Sequence, residues 1–390
     1  MARFYPLCFA LLVTPGLAAQ SATHVVDTSG APGTDFTDLG SAIAAARNGD
    51  VLYVRRYDIN LPPLTWAWIS LAGKGLTIVA DEGVNRPWID AITVTGLSVD
   101  DFVLLQGLEP SRSFSGAGTW SQNEGVLWFE DCSLHYESAS TKASDCAAVV
   151  LKGCDVSQYL GTISPFLTTD SGVFVHGSRV DSWDGQFAIE ARNSALELVG
   201  SQLIGHEGFV ASPAFCEGVN GGSALSLTRS LARRLDSTLV AGAGFAGDDQ
   251  CGPGRDGVEL RVDGQSTLTD LPGFAKSYAL LSPIREDESL QATLTGSPGD
   301  RVWLLASRTP GHGFATPQLQ GSLLLGAPWQ VVARATLPAS GSLSVHMPAP
   351  RLASGEESRV YFSQAVVRDA ATGCFVVSAP SALVVLDETL

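Results

Sequence analysis

Between residues 127 and 203 one pattern of hydrophobic and polar positions recurs four times, apolar-x-apolar-x-Gly-small-x-apolar. The copies are Leu127-Trp-Phe-Glu-Asp-Cys-Ser-Leu134, Val149-Val-Leu-Lys-Gly-Cys-Asp-Val156, Val173-Phe-Val-His-Gly-Ser-Arg-Val180 and Leu196-Glu-Leu-Val-Gly-Ser-Gln-Leu203. Alternation before the glycine predicts a strand with one buried face. Gly153, Gly177 and Gly200 mark a tight corner that a Cβ would hinder, and Asp131 takes that place in the first copy. Strands this short bury an apolar face by stacking, so each copy of about 23 residues predicts one coil of a solenoid, adding roughly 4.8 Å of height. Phe129, Leu151, Val175 and Leu198 then form one interior column, and Leu134, Val156, Val180 and Leu203 another. Weaker coils flank the run at Leu76–Ala80, Ile92–Thr95 and Val103–Gly107, and at Ala224–Leu227 and Asp236–Leu239. Insertions at Ser212–Gly222 and Ala241–Asp256 loop out from the corners.

A solenoid needs its open end covered. Val51–Val54 reads as the first coil strand. The preceding Leu39–Asn48 places Leu39, Ala42, Ile43 and Ala46 on one helical face, with Asp38 as N-cap and Gly49 just past the end. This helix is expected to lid the first coil. After about Pro272 the period vanishes, and alternating strands appear between Ser289 and Leu386, separated by Pro, Gly and Asp-Ala-Ala-Thr-Gly turns at sandwich-like spacing. The predicted organisation is an all-β chain: a leader over 1–19, a right-handed parallel β-helix with a short N-terminal capping helix over 20–272, and a C-terminal antiparallel β-sandwich over 273–390.

Two resemblances follow from these stretches. Val25-Val-Asp-Thr-Ser-Gly30, Asp35-Phe-Thr-Asp-Leu-Gly-Ser-Ala-Ile43 and Asn48-Gly-Asp-Val-Leu-Tyr-Val54 together resemble the N-terminal cap of β-helix proteins of the pectin-lyase-like superfamily. Lys74–Val79 is similar to that superfamily's first full rung. The likeness covers about residues 24–270 and implies fold, because this fold hosts lyases, hydrolases, epimerases, adhesins and non-catalytic proteins. The tract Tyr361–Leu383 resembles a C-terminal module of large exported bacterial proteins, which implies attachment, sorting or folding and brings no catalytic residue.

The first residues read as a secretory signal peptide: Arg3, an apolar run from Leu7 to Val13, a break at Pro15-Gly16 and a small-x-small site at Gly16-Leu17-Ala18, with Ala19 an alternative. That run is far below the roughly 20 residues needed to span a bilayer, and Asp, Glu, Arg or Gly interrupts every later one. No lipobox surrounds Cys8. The expected location is secreted, periplasmic or at the cell surface, without membrane insertion. The net charge of −16 opposes nucleic acid or anionic lipid as partner, since both need a basic patch.

Chemistry is sparse. The polygalacturonase-like branch would show a Gly-His-Gly-like turn, several Asp on adjacent rungs and an Arg-x-Lys; Val175-His-Gly177 and Asp248-Asp249 are the nearest matches. Arg86-Pro87 is the nearest echo of a pectate-lyase-like base. His176 alternates outward in one column with Glu130 and Lys152, which predicts a solvent-facing charge ladder. Asp181, Asp184 and Glu190 follow a corner, where a two-carboxylate glycosidase pair competes with a solvated acidic turn. Asp248, Asp249 and Asp256 in a Gly-rich loop are candidate calcium ligands, without an EF-hand or nonapeptide pattern; no other cofactor is implied.

Seven cysteines less Cys8 leave six for the exported chain. Cys132 and Cys154 share a column on adjacent coils at disulfide range, and Cys216 and Cys251 sit in the two insertions. Cys146 and Cys374 remain, one of them at least a free thiol. Trp66 and Trp68 oppose the aliphatic face of their strand, and Trp128 and Phe174 share an outward column. Such aromatics stack on sugar faces; the plainer reading is that the insertion Leu108–Asn123 folds over them. The sequence therefore leads to a non-catalytic extracellular or cell-surface protein that binds polysaccharide. A polysaccharide lyase or glycoside hydrolase with an unfamiliar site is the alternative, and a purely structural surface protein the third reading. Oligomeric state is left open.

Overall fold

The computed structural model describes residues 21–56, 67–81, 88–110, 118–136, 140–158, 163–183, 185–208, 220–245, 247 and 252–390. From Thr23 to Asp270 the chain is a parallel β-solenoid of about six turns. A complete turn has three strands. Phe166–Thr169, Gly172–His176 and Arg179–Ser182 form one turn, Phe187–Arg192, Ala195–Val199 and Gln202–Gly205 the next, and Ser223–Thr228, Leu231–Leu235 and Thr238–Val240 a third. Stacked turns build three faces, named first, second and third in the order the chain visits them. In two earlier turns the first and second faces merge into the long strands Thr119–Glu130 and Thr141–Lys152, so 17 strands share one sheet and five make the third face.

The registers confirm both interior columns. Phe129, Leu151, Val175 and Leu198 stack on the second face, and Leu134, Val156, Val180 and Leu203 on the third. All eight are fully buried, each contributing about 1.5–3 kcal/mol.

Two columns of left-handed residues turn the corners. Asp131, Gly153, Gly177, Gly200 and Asp236 have φ between 49° and 62°, and a second column holds Gln122, Asp145, Asp170, Asn193 and Arg229 at 48° to 55°. Glycine, Asp and Asn reach this region at least cost. Behind each column runs a ladder of small polar residues. The backbone N–H of Cys154 donates to Ser178 Oγ, that of Ser178 to Ser201 Oγ, and that of Ser201 to Ser237 Oγ, at 3.0–3.3 Å. Each side chain in turn donates to a carbonyl one rung back: Ser178 to Leu151, Ser201 to Val175, Cys154 to Phe129 and Cys132 to Leu105. Cys146, Ser171, Ser194, Ser230 and Ser266 form the parallel ladder. Cys132 and Cys154 are therefore free thiols rather than a disulfide, because each serves its rung as a hydroxyl would. Burial, and then Cys132 beside it, pushes the Cys154 thiol well above its ordinary range. Cys146 and Cys374 are also free, and Cys216 and Cys251 lie outside the described residues.

The lid helix spans Leu39–Ala45, shorter than expected. Asp38 caps it by accepting the Ser41 N–H at 2.7 Å, and Leu39, Ala42 and Ile43 are buried. It ends before Gly49 because Lys74 Nζ takes the Ile43 and Ala46 carbonyls at 3.0 and 2.5 Å, a cation closing a helix C-terminus.

After Asp270 the pairing changes. Ser277–Leu280, Ser289–Thr295 and Ser342–Pro348 make an antiparallel sheet, and Arg301–Ser307, Gln330–Thr336, Ser358–Arg368 and Phe375–Leu386 the antiparallel body of a six-stranded one. Tyr278, Leu294, Val302, Leu304, Ala365 and Val367 pack between them. Lys276, buried, reaches Asp300 and Asp369 at 2.7 Å each. Its hydrogen bond holds the Asp369 carboxyl down at about 2.

These C-terminal sheets close over the second face of the solenoid. Its outward column Val51, Leu104, Trp128, Val150 and Phe174 joins Leu305, Leu323–Leu325, Phe362, Ala382 and Val384 in one apolar cluster. Trp128 is fully buried, its ring 4.9 Å from that of Phe362, and Phe174 is closed off near Gly313. The cover thus comes from the C-terminal sheets; residues 111–117 of the 108–123 insertion lie outside the described residues.

The expected solvent-facing ladder is also internal: Glu130, Lys152 and His176 are all buried. Glu130 accepts from Ser381 Oγ at 2.6 Å, the Ala382 N–H at 2.7 Å and Trp128 Nε1 at 3.0 Å, and pairs with Lys152 at 3.0 Å. Burial alone would lower the Lys152 ammonium, but Glu130 and Asp131 outweigh it and hold it raised. Two rungs beyond Lys152, in the column of Phe174, Glu197 accepts the Ser322 N–H and hydroxyl at 2.7 and 2.8 Å.

Candidate functional site

With the second face covered, exposed chemistry lies on the first and third. The third face projects two outward columns, Ser133–Asp155–Arg179–Gln202–Thr238 and His135–Ser157–Asp181–Ile204–Val240. Register alone therefore gathers His135, Asp155, Ser157, Arg179 and Asp181 on one surface, with Trp183 and His206 at its edge.

Asp181 is the hub. Arg179 Nε donates to both its oxygens at 3.0 and 2.9 Å, and His206 Nε2 lies 3.1 Å from Oδ2. The Trp183 indole stacks on the His206 ring, centroids 4.2 Å apart and planes 13° from parallel. His206 is placed by backbone contacts: its N–H donates to Ser182 and its carbonyl accepts from Gly222. Any Cβ on Gly205 would strike the Gly222 carbonyl, so only glycine allows this approach. The Asp181 carboxylate is 10% exposed, the imidazole 28% and the guanidinium 46%. The result is a fixed anion, two donors around it and an aromatic plate alongside.

One rung earlier, His135 Nδ1 and Ser157 Oγ share a 2.5 Å hydrogen bond, and His135 Nε2 lies 3.9 Å from Asp155. These are the residue types of an acyl-transfer nucleophile with its base, although the carboxylate stands beyond hydrogen-bond reach.

The other candidates disperse. Glu190 belongs to the first face, where it pairs with Arg192 at 2.6 Å and lies within 3.5 Å of Ser164 Oγ. It forms no carboxylate pair with Asp181, because a corner loop turns the two strands onto different faces. Asp184 lies outside the described residues, as do Asp248, Asp249 and Trp66. Asp256 accepts the Gly244 N–H at 2.8 Å. Among the described residues no three His, Cys, Asp or Glu side chains group as metal ligands. Burial drives the His176 imidazole down to about 3, far from the range of a base at neutral pH. Trp128 and Phe174 are lost as sugar platforms, whereas Trp68 is 63% exposed on the first face.

That first face is lined with hydroxyls, Ser70, Thr93, Thr95, Thr119, Ser121 and Ser144 standing in two outward columns. A cleft of about 310 Å³ between the early turns and the C-terminal sheets is lined by Asp100, Asp101, Phe102, Arg308, Arg359 and Val360 among others. Among the described residues its lining has no imidazole or thiol.

His135, Trp183 and His206 escaped the sequence reading. Their signal was present in the register: once Val156, Val180 and Leu203 are interior, residues two apart along each strand must share the outer face. No family model and no curated protein matches this chain.

Proposed function

We infer that this is an exported, non-catalytic surface protein that binds a carbohydrate on the third face of its solenoid. The observation that carries the reading is the Trp183–His206 stack set against the Arg179–Asp181 pair. An aromatic plate beside fixed donors and acceptors is what a pyranose requires, apolar C–H groups on one side and hydroxyls at the edge. The acidic chain favours a neutral glycan. The leader over 1–19 carries the export part of the proposal, and the C-terminal sheets serve as a cover for the solenoid with a role in attachment.

The test is binding and product release by the purified protein against neutral and acidic polysaccharides, with and without calcium. Retention that Trp183→Ala weakens at least ten-fold, while Trp68→Ala leaves it unchanged, is the expected result. No retention of any glycan overturns the reading and leaves a structural surface protein.

The second reading is a hydrolase, favoured by the Ser157–His135 hydrogen bond. It predicts release of acyl groups from esterified glycans, abolished by Ser157→Ala.

A further inference from the structure

The four long strands of the C-terminal body, Arg301–Ser307, Gln330–Thr336, Ser358–Arg368 and Phe375–Leu386, hold four arginines and no Asp or Glu. This is in a chain whose acids outnumber its bases 40 to 24. Arg359 pairs with Glu356. Arg301, Arg334 and Arg368 lie toward the other end of these strands, all exposed. Among the described residues none of the three enters an ion pair. Register sets them on one face together with two aromatic rings. Arg301 is directly opposite Arg368 on one side and Thr336 on the other, and Trp303 is directly opposite Val366 and Arg334. Trp303 is half-buried, and its ring lies 5.9 Å from that of Phe375, which is 36% exposed and opposite Arg368. The carboxylates next in sequence, Asp300 and Asp369, are buried and share Lys276 at 2.7 Å each. They leave one negative charge beneath three exposed positive ones. Like charges directly opposed across a sheet are destabilising, so Arg301 and Arg368 face each other at a cost that an anion between them removes.

We propose that this face binds a sulfated polysaccharide, with a sulfate ester between Arg301 and Arg368 and a sugar ring against Trp303. A carboxylate presents two oxygens in one plane, which a single guanidinium fork occupies. A tetrahedral ester presents three, enough to face two forks at once. Of the tetrahedral esters, sulfate carries one charge and a phosphomonoester about two, so sulfate is the less repelled by a chain of net charge −16. A flexible polymer touches this face alone, whereas a membrane or a nucleic-acid duplex would meet the acidic body as well. Arg334, across the strand pair from Trp303, takes a further sulfate along the same chain. The site is distinct from the third face, and either can fail without the other.

Four polymers of one backbone test this: dextran sulfate, dextran phosphate, carboxymethyl-dextran and plain dextran, each titrated into the purified protein at low ionic strength. Dextran sulfate should bind most tightly, with an affinity that falls as salt rises. The double substitution Arg301→Gln with Arg368→Gln should weaken it at least about ten-fold, and Trp183→Ala on the third face should leave it unchanged. Urea unfolding of the double variant should show stability equal to or above that of the wild type, since it removes an opposed pair of like charges; this separates a lost site from a lost fold. Absence of binding to dextran sulfate overturns the proposal, as does binding that survives the double substitution. Equal binding of carboxymethyl-dextran or dextran phosphate overturns the assignment to sulfate, and retention by vesicles of anionic phospholipid that the same substitutions abolish assigns the face to a membrane instead.

Discussion

His176 shows how one buried residue ties stability to pH. Its ring is fully buried, and neither nitrogen has a hydrogen-bond partner among the described residues. Burial lowers it to about 3, against 6.5 in an unfolded chain. Above pH 6.5 neither state binds the proton, and the residue adds no pH dependence. As pH falls below 6.5 the unfolded chain takes the proton first, so stability declines until pH reaches about 3. The slope approaches about 1.4 kcal/mol per pH unit. His176→Leu should flatten the fall in stability between pH 6 and 4, measured by urea unfolding at each pH.

Glu130 gives the complementary case, a buried charge whose every contact is used. Glu130→Leu removes the acceptor for Ser381 and Ala382 and strips Lys152 of its main partner. The expected loss is about 3 kcal/mol or more in urea unfolding, and adding Lys152→Leu should recover much of it.

At the scale of the element, the corners matter more than the strands. The serines of each ladder accept an N–H and donate to a carbonyl, and cysteine makes the donating bond at three described positions. Ser178→Cys should therefore cost under about 1 kcal/mol, whereas Ser178→Ala strands the Cys154 N–H and should cost roughly 1–3 kcal/mol; thermal unfolding distinguishes the two. The solenoid was legible because Gly153, Gly177 and Gly200 punctuate a regular period. The second corner column was not, since Asp145, Asp170, Asn193 and Arg229 adopt the same backbone without glycine. The covered face was missed for a different reason. Leu127-Trp-Phe129, Val149-Val-Leu151 and Val173-Phe-Val175 are continuous apolar runs, the sign of strands buried on both sides. Reading them as alternating put Trp128, Phe174 and His176 in water. Periodicity says which way a side chain points but not what arrives to cover it, and Phe362 comes from more than 180 residues away. The third-face cluster was half legible: Asp181 was singled out, while His206 reaches it only because Gly205 lets the chain pass close to Gly222.

The whole molecule is a stack of rungs closed on one flank by its own C-terminal third. What remains open is a hydroxyl-lined first face, a third face with paired imidazoles and carboxylates, and a bare terminal turn. Of these, the third face is the one on which the proposed carbohydrate binding rests. The bond from Ser381 to Glu130 spans 251 residues, and it bears on how the chain is made. A solenoid can wind progressively from its first turn, each turn laid on the one before. Its flank stays greasy until the strand Phe375–Leu386 arrives. A chain interrupted before Ser381 would wind normally yet display Trp128, Val150 and Phe174 to chaperones and proteases.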